Sequence, residues 1–445
     1  MKKFRFFVFI LLALLTLPIQ ALALDDPAPE ATAALVVDAT YDTVLYDLNA
    51  HERRYPASIT KVMTALLTLE AAERGELTLD QMITATEAIH TDMVPDGSTQ
   101  NIKTGETMSV KDVLCCLLIA SANESANFLA ITVAGDIPSF VALMNQRAAE
   151  LGMKDTHFAN PHGLHRDDHY TTAWDLYLLA REAMTHELFR EIVSTADYTV
   201  PATNLSEERH FFNTNALLTP ARYSSYLYSS AIGIKTGSTG EAGQCLLSAA
   251  ERDGRTLYCV VLGARVAAQE DGSYRQMQFY ETVRLFEWGF KNFSVRAILE
   301  SSDPVAQVEV TLSDTDYVLV RPDGSLSALL PNDQDLSQFV ATPELFADSV
   351  EAPVEEGQVL GKVTLTLNGE EYGSLDLVAL NSVERSELQY HIDRAEKFLA
   401  QPWVPVAAIG LVVLILLLII LCSMRRRRKR RRTRSYMGYG GRRRR

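Results

Sequence analysis

A serine stands three residues before a lysine in YPASITKVMTALL, residues 55–67, at the head of a run in which Ile59, Val62, Met63, Leu66 and Leu67 recur with helical spacing. If a helix begins at Ser58, positions i and i+3 share a face and the Lys61 amine reaches the serine hydroxyl. That pairing matters chemically, because serine is a poor nucleophile at neutral pH until a nearby base takes its proton. The same pattern also suits a helix N-cap, which adds roughly 1 kcal/mol of stability and no reactivity. Two further motifs bear on the choice. Ser121-Ala122-Asn123 lies in an apolar segment that reads as helical, where packing has no use for a polar pair. Lys235-Thr236-Gly237 follows Ile234 on a strand-like run. Taken singly, the first would be a helix interruption and the second a strand end.

The elements that must position these residues can be read from periodicity. AALVVDATYDTVLYDLNA predicts two strands around a turn near Thr40–Asp42, and residues 77–183 read as mainly helical. The chain turns strand-like again at AIGIKTGSTG, and Asp253-Gly254 divides two further apolar strands as a tight hairpin would. A helix is expected over Tyr274–Phe290. Strands from both ends of a region with helices between them predict an α+β fold, one antiparallel sheet flanked by helices. From Ser294 the pattern changes to short alternating strands with turns at Pro322-Asp323-Gly324 and Asn368-Gly369, which predicts a small C-terminal all-β domain.

The ends of the chain indicate export. Lys2, Lys3 and Arg5, an apolar run from Phe6 to Leu17 and then Ala21-Leu22-Ala23 have the build of a cleavable signal. Residues 404–422 are uncharged and long enough to cross a bilayer, and 13 Lys/Arg with no acid follow Met424. That flank predicts a single-pass transmembrane helix with its C-terminus inside and the chain from Leu24 to Trp403 outside. The Arg-rich tail suits anionic lipid headgroups. Between the two ends lie 26 basic and 56 acidic residues, a net −30, which argues against nucleic acid as a partner. The division expected is 1–23 signal peptide, 24–32 linker, 33–293 catalytic domain, 294–383 β-sandwich domain, 384–403 helical stalk, 404–423 transmembrane helix and 424–445 cytoplasmic tail. Cys115, Cys116, Cys245 and Cys259 sit in apolar runs without metal-ligand spacing and read as buried thiols. The Pro/Gly-rich segment holding His162, His165 and His169 offers no helix face for a metal, so neither metal nor cofactor is expected.

In the order S-x-x-K, S-x-N, K-T-G, the three motifs form the set found in penicillin-binding proteins and class A β-lactamases. With NPHGLHRDDHYTTAWDLYLLA, KTGST and EEGQVLGKVTL, the chain resembles the serine-type D-Ala-D-Ala carboxypeptidases among the low-molecular-mass penicillin-binding proteins, over most of residues 33–380. The resemblance implies removal of the terminal D-alanine from a peptidoglycan stem pentapeptide through a Ser58 acyl-enzyme, and covalent inhibition by β-lactam antibiotics. It implies Lys61 as base, Ser121 as proton relay to the leaving amine and Asn123 as a hydrogen-bonding partner of Lys61 or of the substrate amide. Lys235 and Thr236 would bind the terminal carboxylate, Gly237 would permit close backbone approach, and the N–H groups of Ser58 and Ser238 would form the oxyanion hole. A DD-transpeptidase or endopeptidase shares this acyl-enzyme. A class A β-lactamase would need an E-x-x-x-N glutamate, which is absent between Asn123 and Lys235. A non-catalytic wall-binding scaffold would have no need of the intact motif residues.

Overall fold

The computed structural model describes residues 24–436, with side-chain surroundings given to Arg427. The expected signal, residues 1–23, lies outside that range, as do residues 437–445 of the tail. The described residues divide into two compact units, 24–296 with 329–334, and 297–328 with 335–436.

The first unit is built on a five-stranded antiparallel sheet of β1 (Ala33–Asp38), β2 (Thr43–Leu48), β3 (Ala231–Thr239), β4 (Gly243–Arg252) and β5 (Arg255–Ala264), in the order β2-β1-β5-β4-β3. The α+β expectation holds, and the strands do come from the two ends of the unit. Both faces of the sheet are covered, which is why AALVVD and LYCVVL are continuously apolar rather than alternating. Leu35, Val37, Leu247 and Val260 face one core, and Val36, Leu246, Cys259 and Val261 face the other. Asp253 and Gly254 both take positive φ in the two-residue turn joining Arg252 to its partner Arg255, the conformation a tight hairpin requires.

The helices α1 (Lys61–Glu73), α2 (Val110–Leu118), α3 (Asn123–Ala134), α4 (Ile137–Glu150) and α5 (Ala173–Ala183) contribute to the first core, and α6 (Met277–Asn292) packs on the opposite face. The stretch expected to be mainly helical is interrupted more than its apolar content suggests, since residues 91–106 and 153–172 form neither helix nor extended strand. The last helix starts at Met277 instead of Tyr274, because Tyr274–Gln276 pair as a strand with Val266–Ala268.

The second unit contains a six-stranded sheet whose strands include Ala306–Thr311, Tyr317–Pro322, Val359–Leu367 and Glu370–Ala379, around a core of Val308, Val320, Val363 and Leu377. It also holds the helix Glu387–Leu399 and the apolar helix Trp403–Tyr436. The latter runs beyond the expected end at 423, consistent with the good helix propensity of Arg and Lys.

Candidate active site

Ser58 does not cap a helix. It lies in a 3₁₀ turn, Ala57–Thr60, and α1 begins only at Lys61 with Thr60 at its N-cap. Side chains three apart eclipse in a 3₁₀ turn, and Lys61 Nζ lies 2.7 Å from Ser58 Oγ. Ala57 is held at φ +48°, a left-handed conformation that costs a residue with a Cβ about 1–2 kcal/mol.

The surrounding bonds pin this turn. Thr60 Oγ1 donates to the Ala57 carbonyl at 2.8 Å and lies 2.8 Å from His169 Nε2. Because His169 Nδ1 accepts the Ala159 N–H at 3.0 Å, its proton sits on Nε2 and is donated to Thr60. Gly163 (φ +87°) presses on the same turn: a Cβ there would lie 1.9 Å from the Ala57 oxygen. A Cβ on Gly237 would lie 2.8 Å from the Pro56 oxygen and 3.2 Å from the Ser58 nitrogen, so strand β3 approaches the turn as only glycine allows.

Lys61 is fully buried and its Nζ has three oxygen neighbours, Ser58 Oγ at 2.7 Å, Asn123 Oδ1 at 2.8 Å and the His162 carbonyl at 2.8 Å. A protonated amine donates to all three. A neutral amine donates to the two carbonyl oxygens, which cannot donate in return, and turns its lone pair to the Ser58 hydroxyl. Burial, reinforced by the charge of Lys235 and opposed by Glu124, holds the Lys61 pKa well below the ordinary lysine range.

Ser121 and Ala122 do not lie inside a helix. They form the break between α2 and α3, with Ser121 at φ +66° and Asn123 as the first residue of α3. This break turns Asn123 toward Lys61, and the apolar composition of the segment conceals it. Lys235, also buried, donates to the Thr236 carbonyl at 3.0 Å, and burial followed by the nearby Arg222 pushes its pKa down to about 7.

Ser58 lines two cavities. One, of about 730 Å³, has walls from residues 92–98, the 160–166 loop and Ser238–Glu241. The other, of about 200 Å³, is lined by Ser58, Ser121, Thr214, Arg222, Thr236 and Ser238 among others. Thr236 donates to Thr214 Oγ1 at 2.7 Å, and Ser238 Oγ accepts from Gln244 at 3.0 Å. The site thus gathers Ser58, Lys61, Ser121, Asn123 and the 235–238 strand segment. Sequence reading missed Thr214, Arg222 and the His162 carbonyl. The first two lie in a loop without periodicity, and a backbone carbonyl leaves no trace in residue identity.

The three histidines point to separate partners. The Leu164 N–H donates to His162 Nδ1 at 3.1 Å, His169 bridges Ala159 and Thr60, and His165 stacks edge-on to Tyr55 at 4.6 Å. Burial pushes the pKa of both His162 and His169 down to about 3. Cys115, Cys116, Cys245 and Cys259 are buried free thiols.

Residues 20–266 match the family described as D-alanyl-D-alanine carboxypeptidase, and residues 293–385 match the C-terminal domain of penicillin-binding protein 5. The chain is 29% identical over 393 residues to the D-alanyl-D-alanine carboxypeptidase DacF of Bacillus subtilis, covering 87% of this chain and 96% of that protein. The structure of penicillin binding protein 5 from Haemophilus influenzae is similar at 28% identity and TM-score 0.58, covering 81% of this chain and 99% of that one. Penicillin-Binding Protein D2 from Listeria monocytogenes, in its ampicillin-bound form, is similar at 30% identity and TM-score 0.50, covering 60% of this chain and all of that one.

Proposed function

Since the chain belongs to the D-alanyl-D-alanine carboxypeptidase family, and is a serine DD-carboxypeptidase of the cell wall, we propose that Ser58 is the nucleophile and Lys61 its general base. The observation that carries this reading is the buried Lys61 amine 2.7 Å from Ser58 Oγ, its other neighbours being acceptors only. Ser58 gives its proton to the Lys61 lone pair and its Oγ bonds to the carbonyl carbon between the two terminal D-alanines. Negative charge develops on the carbonyl oxygen, where the N–H groups of Ser58 and Ser238 stabilise it. Collapse breaks the C–N bond, and the leaving amine takes up the proton through Ser121. Water then cleaves the ester and frees the enzyme.

Lys235, Thr236 and Arg222 hold the terminal carboxylate in the smaller cavity, and the rest of the stem peptide lies in the larger cleft. Asn123 orients Lys61. A β-lactam presents the same carboxylate and an acylating carbonyl, so penicillins trap Ser58 as an ester. In this reading residues 404–423 of the helix Trp403–Tyr436 cross the membrane once, with the catalytic unit outside and the basic tail on anionic lipid within.

Labelling with a fluorescent penicillin tests the nucleophile. The wild type becomes covalently tagged and Ser58→Ala does not; equal labelling of both refutes the assignment. Mass spectrometry of a purified pentapeptide then reads the outcome of the acyl-enzyme. Loss of one alanine is expected, and a cross-linked dimer would instead make transpeptidation the main reaction.

A further inference from the structure

Residues 91–106 contain no regular helix or strand, yet residues 92–98 form one wall of the cleft beside Ser58. Their placement depends on bonds to the neighbouring helix α3. Glu124, in its first turn, is 2% exposed, and its Oε1 accepts the Thr99 hydroxyl at 2.7 Å and the Gln100 N–H at 2.7 Å. One turn on, Asn127 Nδ2 donates to the carbonyls of Ile89 at 3.1 Å and Thr91 at 2.9 Å. The Asn123 N–H donates to the Ser98 carbonyl at 2.9 Å. The Gln100 carbonyl in turn accepts from Arg209 at 3.1 Å. The contact is tight, since a Cβ on Gly97 would lie 2.8 Å from Asn123 Nδ2. The helix turn that presents Asn123 to Lys61 therefore also holds the cleft wall.

We propose that Glu124 is a positioning residue for the reaction: its carboxylate ties the cleft wall to the turn carrying Asn123, and its negative charge forms part of the field in which Lys61 works. This rests on the reading of Lys61 as the base of Ser58. The groups facing Lys61 are Lys235 from β3, Glu124 from α3 and His162 from the 153–172 segment. Burial and Lys235 lower the Lys61 pKa, and Glu124 alone of these raises it. Lys61 acts unprotonated, so activity climbs as pH rises through its pKa. Removing the negative charge lowers that pKa and moves the acid limb to lower pH.

Three variants separate the two roles. Glu124→Gln keeps an acceptor oxygen and loses the charge, Glu124→Ala loses both, and Thr99→Val, at an exposed position, removes the hydroxyl bond to Glu124 and the acceptor of the Asn101 N–H while leaving the Gln100 N–H bond in place. With pentapeptide as substrate, Glu124→Gln shifts the acid limb of kcat/KM down by about 0.5 pH unit or more, with KM within about twofold of wild type. Thr99→Val raises KM by about threefold to tenfold, as expected for loss of a charge-assisted bond, and leaves the limb in place. Glu124→Ala shows both changes if it folds, and the other two variants decide the matter if it does not. An unmoved limb in Glu124→Gln, or an unchanged KM in Thr99→Val, overturns the proposal. Penicillin labelling of Ser58→Ala is run alongside: retained labelling there removes the underlying assignment, whereas its loss with unaltered Glu124 and Thr99 variants sinks only this inference.

Discussion

Replacing Gly163 by alanine perturbs Ser58, the proposed nucleophile, without altering any side chain assigned a part in the proposed chemistry. The new Cβ would lie 1.9 Å from the Ala57 oxygen, 2.5 Å from its carbonyl carbon and 2.9 Å from Thr60 Oγ1. Ordinary carbon–oxygen contact needs roughly 3.4 Å, so either the 160–166 loop or the Ala57–Ser58 turn must move by about 1.5 Å. Alanine at φ +87° adds about 1–2 kcal/mol of backbone cost and the steric insertion about 1–3 kcal/mol. The expected loss of stability is therefore about 2–5 kcal/mol. A misplacement of about 1 Å between reacting groups costs on the order of 100-fold in rate, and the same turn fixes the Ser58–Lys61 contact. Fluorescent-penicillin acylation of folded Gly163→Ala, with folding checked by circular dichroism and urea titration, should thus be slower by about 100-fold. Gly152→Ala is the control. Gly152 also has positive φ (+78°) but nothing within 4 Å of the added Cβ, so only the backbone cost applies and acylation stays at the wild-type rate. Acylation of folded Gly163→Ala within threefold of wild type would refute the argument that this contact sets the serine.

Three other outcomes follow from the same structure. His162 and His169 have pKa values near 3 in the fold and about 6.5 unfolded, so between those values the unfolded state binds more protons. Stability is full above pH 6.5 and falls on acidification by up to roughly 1.4 kcal/mol per pH unit for each histidine; urea midpoints at pH 7, 6 and 5 should show this, and His169→Gln should reduce the slope by about half. Arg222→Gln should raise KM for pentapeptide by about tenfold while changing kcat by less than about threefold, if the guanidinium holds the carboxylate equally in ground and transition states; steady-state kinetics decide it. Alkaline carbonate should leave the full chain in the membrane pellet, and release into the wash would count against the single-pass reading of residues 404–423.

Much of the candidate site is readable because the side chains gathered there lie at short fixed spacings. Ser58 with Lys61, Ser121 with Asn123, and Lys235 through Ser238 each lie within four residues, so local pattern is enough to find them. Asp253-Gly254 was likewise legible, because a two-residue hairpin demands positive φ at both positions. The reading failed where conformation contradicts composition. LLIASANES is apolar and helix-like, and nothing local shows that Ser121 takes φ +66° and breaks the helix there. The helix start was misplaced for a related reason: Ser58 is a good capping residue, but Gly163 and Gly237 press on its turn and hold it as 3₁₀.

By itself, the sequence determined the motif residues of the candidate site, the α+β pattern of apolar runs and the uncharged segment near the C-terminus, since each depends on neighbours along the chain. The tertiary structure alone decided what surrounds Lys61. Its pKa depends on burial, on a lysine 174 positions later on another element and on a glutamate in α3. Its hydrogen bonds reach a backbone carbonyl 101 residues away. Desolvation and Coulomb forces act through space, and only the folded chain sets those distances.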